Sequence, residues 1–256
     1  MRFYDEGYTQ APADASHYAR WRALGAVGKA DHVLALCSRS GLSAGGHPVN
    51  TLEVGCGDGA LLSELHRRDF GGRLAGVEIT GAAVEIARTR AEIDSVELYD
   101  GLHLPAADGE YELGIVSHVL EHVEDPPALL AEVARAARAV VVEVPLEQNI
   151  SARRASKREH ADEVGHLQRL SRKDARELVA RAGLRIAGEL EDPLPLAVHR
   201  FLASENAPAR AAATAKWAVR AGLHRLAPPA ARRLYTVHYA CLCLPDTDGQ
   251  VGPGIR

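Results

Sequence analysis

The residues Thr51-Leu52-Glu53-Val54-Gly55-Cys56-Gly57-Asp58-Gly59-Ala60 decide the fold of this chain. A short strand-like run ends in a turn that has glycine at every second position. Apolar residues at helical spacing follow at Leu61, Leu62 and Leu65, which predicts a helix. Such a turn lets the backbone approach a ligand closely, with the free N–H groups of the new helix aimed at it.

Further signals follow this unit in a fixed order. Gly76-Val77-Glu78 is a second strand with an acid at its tip, and Asp100 precedes Leu104-Pro105. The run from Leu113 then leads through Ser117-His118 to Leu120-Glu121-His122. Because strands and helices alternate at this spacing, we expect a parallel sheet with right-handed crossovers.

The pattern predicts seven strands and several helices. The strands are expected at 51–54, 74–78, 96–99, 113–117, 139–144, 184–190 and 235–244. One or two helices are expected within 17–40, and others at 60–68, 81–91, 127–137 and 171–183. The fifth strand is interpreted as an apolar run buried on both faces.

The ordered set of motifs resembles the class I S-adenosylmethionine-dependent methyltransferases. The resemblance implies an α/β, Rossmann-like fold: a seven-stranded, mostly parallel sheet with an antiparallel last strand. We expect an N-terminal helical cap or lid at 1–45, a cofactor-binding core at 46–190 and 234–246, and a helical insertion at 191–233 near the substrate mouth. The lid would close over the ligands with aromatic side chains that include Tyr4, Tyr8, His17, Tyr18 and Trp21.

The same resemblance implies a binding site for S-adenosylmethionine at the carboxyl ends of the strands. Glu53 would lie near the methionine moiety, Glu78 would accept the ribose hydroxyls, and Asp100 would accept the adenine amino group. The other residues expected to bind the cofactor are Gly55, Cys56, Gly57, Gly59, Ile79, Gly101, Leu102, Ser117 and His118.

A nicotinamide-dependent enzyme is the alternative, since Gly55-x-Gly57-x-x-Ala60 also fits a dinucleotide pattern and Glu78 could bind its ribose. Glu53 argues against it, because a carboxylate there would repel the pyrophosphate. A sulfonium and an ammonium group attract acids instead. The sequence therefore favours S-adenosylmethionine.

The acceptor is expected to be a small molecule. Enzymes that methylate nucleobases resemble one another in an Asn/Asp-Pro-Pro-Tyr loop, whereas Ser117-His118-Val119-Leu120 occupies that place. The Leu120-Glu121-His122 segment resembles the branch that methylates small molecules, often at oxygen. We expect methylation of a hydroxyl on a polar or sugar-like metabolite. N- or C-methylation, and a protein that binds the cofactor without turnover, are the alternatives.

His166 is the first candidate for a catalytic base or acceptor-orienting group, because histidine suits proton transfer near neutral pH. His118 and Glu147 are further candidates, with His160 behind them. No metal is expected in the site. Magnesium held by His160, Asp162, Glu163 and His166 is an alternative.

The length, net charge, apolar runs and cysteine positions of the chain exclude further classes of protein. The chain has 256 residues and a net charge of −4, which gives no basic footprint for nucleic acid. No apolar run is long enough to span a membrane, and without a signal-like start the cytoplasm is expected. Cys241 and Cys243 are expected on opposite faces of a strand, against a disulfide or zinc site.

The segment 206–245 carries six Lys and Arg residues and no acid. A helical lid with a solvated basic face is expected there, and attraction to an anionic acceptor or peripheral contact with a membrane is the alternative. The oligomeric state stays open, with a homodimer as one alternative.

Overall fold

The structure is a computed structural model that describes residues 17–42, 49–203 and 206–246, with all side chains in them except those of Tyr18 and His160. Seven strands form one sheet in the order β3-β2-β1-β4-β5-β7-β6. They are β1 (Thr51–Val54), β2 (Leu74–Glu78), β3 (Ser95–Leu98), β4 (Tyr111–Ser117), β5 (Ala137–Leu146), β6 (Leu184–Pro193) and β7 (Val237–Pro245).

Strands β1 to β5 run parallel to one another, and β7 is antiparallel to both β5 and β6. This arrangement confirms the predicted Rossmann-like sheet with an antiparallel last strand. The order reverses between β1 and β4, so a crevice opens at their carboxyl ends. Glu53, Ser117 and the glycine turn lie at this edge of the sheet.

Helices cover both faces of the sheet. They are α1 (His17–Ser40), α2 (Ala60–Arg67), α3 (Gly81–Arg88), α4 (Pro126–Ala136), α5 (Ala155–Glu163), α6 (Arg172–Arg181), α7 (Leu196–Phe201), α8 (Ala207–Leu226) and α9 (Pro228–Leu234). Apolar side chains of α1 and α2 form one core with the sheet, and those of α4 and α6 form another. The predicted capping box at Ser171 and Asp174 is present at the start of α6.

Helix α1 is a single helix, and it packs against α2 and the β6–β7 end of the sheet. Its core residues include Ala26, Ala30, Val33 and Leu36. The first sixteen residues of the expected lid lie outside the described part of the chain. Helix α8 has no buried residue, and its Leu226 is 86% exposed.

The expectation for Cys241 and Cys243 is wrong. Their sulfur atoms lie 3.5 Å apart on the same face of β7, because side chains two residues apart on a strand point the same way. Both residues are buried free thiols in the structure.

Candidate functional site

The glycine turn after β1 contacts both neighbouring strands. The N–H groups of Gly55 and Cys56 donate to the carbonyl of Val77 at 2.8 and 3.1 Å. Gly55 has a φ of 72°, and a Cβ there would lie 2.5 Å from Val119 Cγ2. Gly57 has a φ of 55°. Side chains are disfavoured in this left-handed region, so the turn requires glycine and the loop after β4 lies directly against it.

Glu53 is a buried acid at the base of this turn. Its side-chain oxygen Oε2 has no hydrogen-bond partner among the described residues. Its pKa is raised from an ordinary value of 4.5 to about 8, mainly by burial; Lys29 opposes the rise, and the carboxylates of Asp58 and Glu78 contribute to it. A buried carboxyl with one unpartnered oxygen suits a ligand that brings positive charge.

Glu78 connects the tip of β2 to the glycine turn. Its Oε2 accepts from the Gly57 N–H at 2.9 Å, and its Oε1 accepts from the Ile79 and Thr80 N–H groups at 2.8 and 3.1 Å. A carboxylate offers about four acceptor positions, and three are in use. If Glu78 binds both ribose hydroxyls, one of these backbone hydrogen bonds has to open.

Asp100 lies on the neighbouring loop and orders it. Its Oδ1 accepts from the N–H groups of Leu102 and His103, both at 2.7 Å, and its Oδ2 contacts His103 Nδ1 at 2.9 Å. These hydrogen bonds, first that from the His103 backbone, hold the pKa of Asp100 well below its usual range. Ile79 and Leu102 expose 48% and 67% of their surface. Exposed apolar side chains beside an acid could sandwich a flat ring.

Asp58, which the sequence analysis did not single out, ties α1 to the turn. Its carboxylate accepts from Arg22 Nε at 2.7 Å, although the residue is only 1% exposed. Arg90 approaches the same carboxylate at 3.7 Å and donates to the Asp58 carbonyl at 2.5 Å. The N-terminal helix and the glycine turn therefore share one ion-pair network.

Two groups of histidines and acids lie next to one another near the carboxyl ends of β4 and β5. The first, here the Glu121 cluster, consists of Glu121, His122 and His166. One possible ligand atom from each residue lies within 4.8 Å of the other two, and the two imidazole rings meet edge to face with centroids 4.8 Å apart. Both Glu121 oxygens are buried without a hydrogen-bond partner in the described part of the chain.

Two predicted catalytic residues meet at this cluster. His166 Nδ1 lies 2.8 Å from Glu147 Oε2, and the side chains are 12% and 19% exposed. The segment around His166 is held in place because the Leu167 N–H donates to the Glu121 carbonyl at 2.8 Å and the Glu147 N–H donates to the Leu170 carbonyl at 2.9 Å. His166 thus has a fixed ring orientation.

The second group, here the Glu143 cluster, surrounds a fully buried acid of β5. Glu143 oxygens lie 3.3 to 3.4 Å from ring nitrogens of His32, His118 and His238. Burial opposes protonation of His32, but the carboxylates of Asp192 and Glu143 outweigh it and raise the His32 pKa to about 10. The charge of Glu143 is therefore balanced by a buried imidazolium.

The sequence analysis missed this cluster because it interpreted β5 as an apolar run, although Glu143 interrupts it. The acid in an otherwise valine-rich strand was the available signal. His118 links the two clusters, since its Nδ1 lies 3.3 Å from Glu121 Oε1. It also has a φ of 58°, a conformation that is uncommon for residues other than glycine.

The structure gives little support for a magnesium site formed by His160, Asp162, Glu163 and His166. Asp162 and Glu163 are exposed, and neither belongs to the clusters found among the described residues. Asp162 lies 3.6 Å from Arg169 in a surface ion pair. The side chain of His160 lies outside the described part of the structure.

Comparisons with known proteins agree with this architecture, which is the fold of class I methyltransferases. The structure of a geranyl diphosphate C-methyltransferase from Streptomyces coelicolor A3(2), solved with Mg²⁺, geranyl diphosphate and S-adenosyl-L-homocysteine, superposes with a TM-score of 0.59. The match covers 85% of this chain and 79% of that one at 16% identity. At this identity the similarity establishes the fold alone.

A sequence model described as a methyltransferase domain matches residues 18–188. The chain therefore belongs to the methyltransferase domain family, whose class I members use S-adenosylmethionine as methyl donor. None of the helices in the described residues is long and apolar enough to cross a membrane.

Curated relatives match only part of the chain. A 37.1 kDa protein of transposon TN4556 from Streptomyces fradiae is 38% identical over 108 residues, which cover 41% of this chain and 29% of that protein. Ajmaline N-methyltransferase from Rauvolfia serpentina is 29% identical over 96 residues, 35% of this chain and 33% of that protein. The chain thus spans about a third of the length of these relatives.

Proposed function

We propose that this protein transfers a methyl group from S-adenosylmethionine to a hydroxyl oxygen of a small polar or sugar-like acceptor. The observation that carries the proposal is the His166–Glu147 contact of 2.8 Å, close to the loop that covers the glycine turn. A hydroxyl has to lose its proton as it attacks the methyl carbon. A histidine oriented by a carboxylate suits an acceptor of that kind.

The cofactor side of the site supports the proposal through Glu53. Its unpartnered Oε2 and raised pKa fit a ligand with a sulfonium and an ammonium group. Glu78 would accept hydrogen bonds from the ribose hydroxyls after one of its hydrogen bonds from backbone N–H groups has opened. Asp100, Ile79 and Leu102 would contact the adenine. Bound there, S-adenosylmethionine supplies an activated methyl carbon.

On the acceptor side, the chain mainly has to align the acceptor with that carbon. We assign His166 to meet the acceptor oxygen as base or orienting group, and Glu147 to fix the ring of His166. A neutral amine attacks the methyl carbon without first losing a proton, and binding without turnover needs no base, so neither of these alternatives requires the His166–Glu147 pair. His118, between the two clusters, is the next candidate.

The basic helix α8 adds a preference for anionic acceptors or surfaces. Burial lowers the pKa of Lys216, and the nearby cations Arg220, Lys157 and Arg154 lower it further. These residues come from α8 and from the segment after β5, so positive charge gathers at one end of the sheet. Acceptor affinity should then fall as salt concentration rises.

A variant pair tests the acceptor role directly. With labelled S-adenosylmethionine and a panel of hydroxylated metabolites, His166→Ala should lower turnover roughly 10²-fold or more, the range for loss of a proton-transfer group. Cofactor affinity should stay within a few-fold of wild type. His66→Ala, which removes an exposed histidine of α2, is the matched control. Turnover of His166→Ala within a few-fold of wild type, or a product methylated at nitrogen or carbon, would contradict the proposal.

A further inference from the structure

The Glu121 cluster has the arrangement of a metal centre. From the placement of its three side chains we infer that Glu121, His122 and His166 bind one divalent transition-metal cation, which holds the acceptor oxygen. Ligands about 2.1 Å from an ion lie up to about 4.2 Å apart across it. The three ligand atoms lie within 4.8 Å of one another, so small side-chain rotations bring them onto one ion.

The outer contacts of both histidines prepare them as ligands. His122 Nδ1 lies 3.1 Å from the carbonyl oxygen of Gly165. Because a carbonyl oxygen only accepts, Nδ1 carries the hydrogen, and Nε2 is the acceptor nitrogen of the neutral ring. His166 Nδ1 faces the carboxylate of Glu147 at 2.8 Å in the same way. Metal-binding histidines typically donate their second N–H to a carbonyl or a carboxylate.

The charge of Glu121 points to a cation as well. Its two oxygens are buried without a hydrogen-bond partner among the described residues, and the nearest ring nitrogen, His118 Nδ1, is 3.3 Å away. A buried carboxylate is costly unless donors or a cation compensate it. Glu143 is surrounded by the imidazoles of His32, His118 and His238 at 3.3 to 3.4 Å, and Glu121 shares one of these, His118, at 3.3 Å. An ion at the Glu121 cluster would therefore add positive charge to an acid that shares its histidine contact with Glu143.

The ligand set selects the class of ion. Two imidazoles and one carboxylate suit zinc, iron(II) and related transition-metal ions, whereas magnesium prefers oxygen ligands. Three protein ligands leave at least one coordination position for another molecule, as in open zinc sites. This site shares only His166 with the magnesium alternative, whose other ligands were His160, Asp162 and Glu163, and it takes a different ion.

The position of the site suggests what fills the open position. Val119, two residues before Glu121, lies against Gly55 of the cofactor turn. With the ion bound, His166 is a ligand, so of its two proposed roles it has the orienting one. The cation would bind the acceptor hydroxyl and lower its pKa, so that the proton leaves to water. The oxygen then forms a bond to the methyl carbon as the carbon–sulfur bond breaks, which yields a methyl ether and S-adenosylhomocysteine. This role rests on the proposed function, whereas binding of the ion does not.

The test is titration of chelator-treated, full-length protein with Zn²⁺ alone, followed by calorimetry, and with Co²⁺, followed by visible absorption. Wild type should bind one ion per chain. His122→Ala and His166→Ala should weaken Zn²⁺ binding by more than about 100-fold, and Glu147→Gln by roughly 10- to 100-fold, as outer-shell changes do. His66→Ala and His238→Ala are controls that should bind as wild type does. Circular dichroism checks that each variant is folded.

Three results would overturn the inference. They are no binding of Zn²⁺ or Co²⁺ to wild type, binding of Mg²⁺ in their place, and loss of binding in His238→Ala with retention in His122→Ala, which would assign the ion to the Glu143 cluster. If the ion binds as expected but a chelator leaves methyl transfer to a hydroxyl unchanged, the acceptor role is wrong. If the product is methylated elsewhere, the proposed function fails and the metal site stands.

Discussion

Replacement of Glu53 by glutamine tests the electrostatics of the cofactor site. The pKa of Glu53 is raised from 4.5 to about 8 by burial, so the folded state holds a proton that the unfolded chain releases above pH 4.5. The stabilisation that comes from this bound proton is fully present below pH 4.5 and is lost at about 1.4 kcal/mol per pH unit between pH 4.5 and pH 8. Glutamine has the same shape and does not titrate, so Glu53→Gln loses this slope.

The difference in free energy of unfolding between Glu53→Gln and wild type should therefore grow by about 3.5 kcal/mol between pH 5 and pH 8, slightly less than the full slope because titration is incomplete near each pKa, with the variant the more stable. Urea denaturation at both pH values measures it. Cofactor binding should change in the opposite direction. A positively charged ligand favours the ionised acid, so wild-type affinity for S-adenosylmethionine should rise with pH up to about 8, and the variant should bind weakly at every pH.

Parallel stability curves for the two proteins from pH 5 to pH 8 would refute this reasoning. They would mean that Glu53 is already ionised in the folded state at neutral pH. Equal affinities of wild type and Glu53→Gln for S-adenosylmethionine at pH 8 would refute the prediction for cofactor binding, because Glu53 would then have no contact with the charged part of the ligand.

Three further predictions concern the turn and its neighbours. Gly55→Ala should weaken cofactor binding and lower the melting temperature, because its Cβ would meet Val119 Cγ2 at 2.5 Å; calorimetry and a thermal melt measure both, and an unchanged melt would contradict the clash. Glu78→Ala should reduce cofactor affinity by roughly 1.5–3 kcal/mol, and a loss below a few tenths would exclude a ribose contact. Arg22→Ala removes one of the two arginine partners of buried Asp58, so the free energy of unfolding measured in urea should fall by about 1–3 kcal/mol. If Arg22→Ala is as stable as wild type, Arg90 compensates for the lost contact and the prediction is wrong.

The sheet could be predicted from the sequence because each of its signals is local. The glycine turn, the acids at strand ends and the strand–helix alternation all lie within short windows, and strands β1 and β2 were placed at their observed bounds. Strand β5 extends beyond its predicted ends, since a valine-rich core gives no sign of where pairing with β7 stops. Contacts of Glu78 with backbone N–H groups have no sequence signature either.

The polar clusters could be predicted only in part. His166 and Glu147 lie close together in sequence as well as in space, and both were candidates. The Glu143 cluster combines residues of α1, the loop after β4, β5 and β7, so only the folded chain brings His32 and His238 to the same acid. A single acid inside an apolar strand changes the apolar pattern only slightly, and Glu143 was therefore not singled out from the sequence.

The central claim is that the glycine turn with Glu53 and Glu78 binds S-adenosylmethionine. Isothermal titration of the full chain with S-adenosylhomocysteine, S-adenosylmethionine and NAD tests it directly, with Gly57→Asp as the matched variant. We expect S-adenosylhomocysteine and S-adenosylmethionine each to bind at one site per chain and NAD not to bind. None of the three should bind to Gly57→Asp. Binding of NAD without either sulfur compound, or unchanged affinity in Gly57→Asp, would contradict it.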